Sequence, residues 1–193
     1  MPTPIAHSLV SLGLSDMESR RERPFTWAAF WMLLGNFADL DFLPGIILGE
    51  PSRFHHGATH SLLFAFVLAV VACQFYSVIF RRKTAFWIFL VVTGSHLFLD
   101  CLTLDTAPPY GLPLLWPFSH ACFRFPFSLF LYVERAMSLR VLLSWHNFWA
   151  VFLEIALTLP FLLGMAFLRN GRTRSRANTA GIGRGKGREA LSN

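Results

Sequence analysis

Apolar positions gather into five runs along this chain of 193 residues, each closed by charge, proline or glycine. The runs are Pro4 to Leu14, Phe25 to Leu48, Ser61 to Phe80, Ala85 to Leu104 and Phe148 to Leu168. A helix needs about 20 residues to cross a bilayer, so the last four runs are long enough and the first is not. The polar stretch Asp16 to Arg23 ends the first run, Pro44-Gly45 stops the second, and Arg81-Arg82-Lys83 closes the third. Between Asp105 and Asn147, Pro108, Pro109, Gly111, Pro113, Pro117 and Pro126 forbid long helices in the first half. A helix is expected from about Phe127 to Leu143. From Asn170 the Gly/Arg/Ser composition predicts disorder. The pattern therefore predicts an all-α, polytopic membrane helical bundle, with four long apolar helices plus a short N-terminal helix. It fills residues 1–168, and residues 169–193 form a basic, disordered cytoplasmic tail.

Composition supports a membrane protein. The chain is 54% hydrophobic and holds 21 phenylalanines; its 15% of charged residues falls well short of the roughly 25% of a soluble domain. The net charge of +6 could suggest nucleic acid, but its distribution argues against that partner. Arg169 to Asn193 holds seven basic residues and one acidic, while the rest holds ten of each. A basic tail beside a membrane helix reads as a cytoplasmic anchor for anionic lipid. Arg20, Arg21 and Arg23, then Arg81, Arg82 and Lys83, then the tail are expected on the cytoplasmic side, with the Asp105 to Asn147 loop outside. Cys73, Cys101 and Cys122 lack CxxC spacing and read as small hydrophobes rather than disulfides.

Candidate chemistry lies in ionisable residues that interrupt these runs. One Asp at the centre of a membrane helix costs roughly 2.5–3.5 kcal/mol. Asp39 and Asp41 fall late in the second run, His55 and His60 flank the start of the third, and His96 and Asp100 fall late in the fourth. His7 lies early in the first run and Glu154 early in the fifth. On the expected topology all of them lie at the outer end of their segments, as a shared site in a helix bundle requires. His96 and Asp100 are spaced i, i+4 and share a helix face. Thr59 is a candidate N-cap that would put His60 in the first helical turn. Imidazole and carboxylate suit zinc and similar ions, and more than four such ligands suit one or two of them. His56 reads as a polar loop residue, and His120 and His146 as packed or hydrogen-bonded ones. Glu154 could pair with Arg135 or Arg140.

In order, the chain carries Ala6-His7, then Asp39-x-Asp41 followed by Pro44, then H-x-G-x-T-H-S from His55 to Ser61. S-H-x-x-x-D-x-x-T follows from Ser95 to Thr103, and L-W-P-F-S from Leu115 to Ser119. Over roughly residues 3–120 this set resembles the bacterial membrane-bound metal-dependent hydrolases, also called LexA-binding, inner-membrane-associated hydrolases. The ligand order is also similar, more distantly, to the helical zinc-dependent phospholipases C and single-strand nucleases. That likeness implies His7, Asp39 or Asp41, His60, His96 and Asp100 as ligands, with Asp100 bridging two ions. The chain lacks the second H-x-x-x-D pair of those enzymes.

The expectation is a bacterial inner-membrane hydrolase with a divalent metal, zinc by its ligands, drawn from His7, Asp39, Asp41, His55, His60, His96 and Asp100. A metal-activated water would attack a phosphoester or lipid-linked substrate, with Asp39 or Asp41 orienting it or acting as base. A non-catalytic scaffold or regulatory protein, holding a structural metal or buried polar network and binding a protein partner through its tail, is the alternative. A small ion transporter is disfavoured by the lack of an inverted repeat.

Overall fold

The computed structural model describes residues 2–18, 24–50, 53–104, 110–134 and 138–189, with side chains through Thr173. Arg20, Arg21, Arg23, Pro108, Pro109 and Arg135 lie outside the described residues. The described chain is all helical, with two isolated bridges and no strand. Its helices are α1 (Pro4–Ser15), α2 (Pro24–Asn36), α3 (Phe42–Ile47), α4 (Leu62–Phe80), α5 (Phe86–Cys101), α6 (Leu139–Leu142) and α7 (Trp145–Glu189).

Among the described residues three stretches, not four, are long and apolar enough to span a membrane: Pro24–Ile47, Leu62–Phe80 and Trp145–Thr173. At most 28% of any of their apolar windows is buried against protein, so most of their surface is left for hydrocarbon. The fourth expected span shortens to the 16 residues of α5. Its C-terminal end turns early, where Leu102 gives its carbonyl to Leu129 and Phe130 N–H groups. That pairing also holds residues 129–130 extended, so the helix expected from Phe127 to Leu143 reduces to α6. At the other end, α7 continues to Glu189, past Asn170 where disorder is expected; no proline follows Pro160 to stop it.

The short α1 is the hub, packing against α2, α5 and α7. Small side chains let it approach closely, the usual device where lipid supplies no hydrophobic force between helices. A Cβ on Gly35 would fall 1.7 Å from Ser11 Oγ, and one on Gly13 would fall 2.8 Å from the Phe161 ring. Thr3 caps α1 through the Ile5 N–H, and its own N–H donates to buried Glu154 at 2.9 Å. Glu154 thus serves the start of α1. At the end of α1, Asp16 pairs with Arg169 of α7 at 2.7 Å. An aromatic cluster of Trp27, Trp31, Tyr76 and Phe89 fills the space between α2, α4 and α5.

Candidate metal centre

The second run does not break at Pro44-Gly45. It breaks at Asn36, where α2 tightens into a 3-10 turn over Phe37–Asp41 before α3 begins. Pro44 falls in the first turn of α3, where its missing N–H costs nothing. The change of pitch turns both acids into the bundle. A second 3-10 turn, Ala58–His60, does the same for His60, and Ser61 rather than Thr59 caps α4 by accepting the Phe64 N–H at 3.1 Å. Thr59 instead donates its hydroxyl to Asp41 Oδ2 at 2.8 Å. His96 and Asp100 come from α5, and His7 from α1.

These elements bring Asp39, His60, His96 and Asp100 to one point. His60 Nε2 and His96 Nε2 are 3.3 Å apart, and each is 3.6 Å from Asp39 Oδ1. Asp100 Oδ2 lies 3.4 Å from His60 Nε2 and 3.2 Å from His96 Nε2. A tetrahedral ion with bonds of about 2.0–2.1 Å has ligand–ligand edges of about 3.3–3.4 Å, so these separations match such a shell.

The protonation of the ring nitrogens sharpens this point. His96 Nδ1 sits 2.8 Å from the Gly35 carbonyl, which can only accept, so Nδ1 carries a proton. His60 Nδ1 sits 3.1 Å from Asp41 Oδ2 and 3.0 Å from Thr59 Oγ1, whose own proton goes to Asp41. In both neutral rings Nε2 is then a bare lone pair. With both rings neutral, two lone pairs and two carboxylates face one another, and positive charge belongs between them: a metal ion, or in its absence a proton on His60 Nε2. Among the described residues the oxygens of Asp39 and Asp100 have no hydrogen-bond partner although they are buried. The Asp41–His60 and Gly35–His96 contacts are the outer hydrogen bonds that orient metal-binding imidazoles.

The remaining candidates surround this point. His7, 1% exposed, stacks on His96 with its Nε2 at 3.5 Å from Asp100 Oδ1, the oxygen turned away from the first group. Asp41 is a hub, accepting from His55 Nδ1 at 3.0 Å as well as from Thr59 and His60. Asp39, Asp41 and His55 form a second group with the spacing of metal ligands, and His55, His56 and His60 a third. His56 lies in a turn, as expected of a loop residue, and stands beside His55 and His60. It adopts the left-handed conformation, φ 60°, and tilts its ring against that of His55. Its i, i+4 spacing to His60 was the available signal. Burial, with His55 and His60 beside it, pushes the His56 imidazole down to about 2, so it stays neutral. For His60, burial alone would lower the value, but Asp100, Asp39 and Asp41 outweigh it and hold the ring well above its usual range. His120 is exposed, and His146 bonds the Tyr132 carbonyl at 2.9 Å; both lie apart from the cluster.

The fold and this centre define a multi-pass helical membrane protein with a buried His/Asp cluster at one end of its bundle. The chain belongs to the YdjM inner membrane protein family, whose pattern matches residues 1–172. It is also 31% identical over 144 residues to inner membrane protein YbcI of Escherichia coli (strain K12), covering 72% of this chain and 80% of that one. No solved structure matches it. The chain is accordingly a multi-pass protein of the inner membrane.

Proposed function

We propose that this protein is a metal-dependent hydrolase of the inner membrane, acting on a phosphoester of a lipid or lipid-linked molecule. The observation that carries the reading is the convergence of four ligand-type side chains, Asp39, His60, His96 and Asp100, on one point at the separations of a metal shell. Nitrogen and carboxylate donors at these separations fit zinc. Asp100 Oδ1 with His7, and Asp39 and Asp41 with His55, offer places for a second ion. When bound, such an ion supplies Lewis acidity to a water or a phosphoryl oxygen.

The chain's own residues suggest how the work is divided. Asp41 is fully engaged by His55, Thr59 and His60, which suits it to positioning. Asp39, with 10% of its side chain exposed and both oxygens without hydrogen-bond partners among the described residues, suits proton transfer. The lipid assignment rests on α3, which directly follows Asp41 and exposes Leu43, Ile46 and Ile47. An amphiphile could keep its chains in hydrocarbon while its phosphoester reached Asp39.

One observation favours a second reading. Four protein donors can close a tetrahedral shell, the pattern of a structural site rather than a catalytic one. The protein would then be a scaffold, with its basic tail available to an acidic partner. Purified protein should contain zinc or a similar ion, and the His96→Ala variant should lose it. Hydrolysis of a phosphodiester or lipid phosphoester should require the metal, stop with chelator and vanish in Asp100→Asn. Metal-loaded protein inactive across a broad phosphoester panel would decide for the scaffold, and metal-free protein unable to take up any divalent ion would sink both readings.

A further inference from the structure

The other end of the bundle carries a separate arrangement. α4 begins beside His60 and ends at Phe80, so the turn after it lies one helix length, about 28 Å, from the cluster. That turn is Arg81-Arg82-Lys83. Beneath it Glu18, 6% exposed, accepts from Trp27 Nε1 at 3.1 Å and Thr84 Oγ1 at 2.6 Å, and from the Tyr76 hydroxyl. Glu18 also pairs with Arg82, which gives Arg82 its counter-charge. Among the described residues neither Arg81 nor Lys83 has an ion-pair partner.

Arg81 and Lys83 line a cavity of about 520 Å³, walled by Met17, Phe80 and the half-exposed Trp87. A second cavity of about 300 Å³ shares Lys83 and Thr84 with the first. It runs down α4 past Ser77, Gln74, Cys73 and Val70, positions that form one helix face. We propose that the two cavities together bind one anionic phospholipid. Its phosphate lies between Arg81 and Lys83, and an acyl chain follows the groove between α4 and α5. Two unpaired positive charges at the end of a spanning helix, with a tryptophan at headgroup depth, attract a phosphodiester anion. A zwitterionic headgroup would bring its ammonium against the same charges. A free phosphate would fill the first cavity and leave the second unused, so the pair of cavities favours the lipid.

The test is native mass spectrometry of the full chain in detergent, titrated with phosphatidylglycerol or phosphatidylcholine. Wild type should retain phosphatidylglycerol about 10- to 30-fold more strongly, and Arg81→Asn/Lys83→Gln should bring the two lipids level. Asn suits position 81 because that residue has φ 52°, a conformation Asn tolerates. Ser77→Phe, which fills the second cavity, should also weaken lipid retention while both charges remain. Unfolding temperature confirms that each variant is intact, and Arg53→Gln, which removes an exposed charge elsewhere, should leave the lipid ratio unchanged. Undiminished phosphatidylglycerol binding in the double variant overturns the proposal, as does a ratio that falls equally in Arg53→Gln. If excess inorganic phosphate displaces the lipid and Ser77→Phe has no effect, the cavity takes a free anion and the lipid assignment is wrong.

Discussion

Asp41→Asn separates a residue that holds a ligand from one that is a ligand. Asp41 Oδ2 receives His60 Nδ1 at 3.1 Å and Thr59 Oγ1 at 2.8 Å, while Oδ1 receives His55 Nδ1 at 3.0 Å. Asn keeps the shape and can turn its carbonyl toward His60 and Thr59. Its amide then faces His55, which can change tautomer and accept. What disappears is the negative charge that makes His60 a better donor through Nε2. Loss of such an outer partner lowers metal affinity about 10- to 100-fold, or about 1.4–2.7 kcal/mol. Competition with a calibrated zinc chelator in detergent measures it. Asp100→Asn sets the comparison, because both Asp100 oxygens face imidazoles of the cluster and its loss should be far larger. Affinity unchanged in Asp41→Asn would refute the outer-partner role. Affinity reduced as far as in Asp100→Asn would make Asp41 a direct ligand.

Proton and metal compete for His60. Its folded value is raised, so its ion pairs stabilise the metal-free protein fully below the ordinary imidazole value, about 6.5, and that stabilisation is lost as pH rises through the higher folded value. The unfolding temperature of metal-free protein should therefore fall over that window while the increment from added zinc grows, and parallel curves with and without zinc would contradict this. Gly35→Ala should destabilise by about 1–3 kcal/mol through overpacking, since its Cβ would fall 1.7 Å from Ser11 Oγ, and Ser11→Gly should rescue it; a thermal-melt series that shows no rescue would remove Ser11 as the cause. Cys122, which is exposed, should react with a membrane-impermeant maleimide in intact spheroplasts, whereas reaction only after lysis would put that loop, and the His/Asp end with it, in the cytoplasm.

The candidate cluster was more legible in the sequence than the fold around it. A charge in an apolar run is conspicuous because it is costly, so Asp39, Asp41, His96 and Asp100 marked themselves. Their partners were hidden because they are ordinary. The Gly35 carbonyl that holds His96, and the Thr59 hydroxyl that holds Asp41, use groups that every chain has in abundance. The length of the fourth run misled for a different reason: apolar residues after Cys101 continue the hydropathy, but the Leu102 carbonyl pairs with Leu129 and Phe130 across a contact no local pattern reveals. Pro44-Gly45 likewise drew attention from Asn36, where the pitch changes.

The shortness of α1 constrains how the bundle can be assembled. Twelve residues rise about 18 Å, well under the roughly 30 Å of hydrocarbon, so α1 cannot enter the bilayer as an independent span. Its anchors lie at both ends and belong to the last long helix: Glu154 holds Thr3, and Arg169 holds Asp16. His7 is thus carried by a segment that precedes α2 in chain order but finds its place only after α7 has arrived. Insertion of the spanning helices would come first, and docking of the early segment would complete the interior. A chain interrupted before Glu154 would keep α2 and α4 to cross the membrane, yet it would leave the imidazole of His7 waiting at the interface.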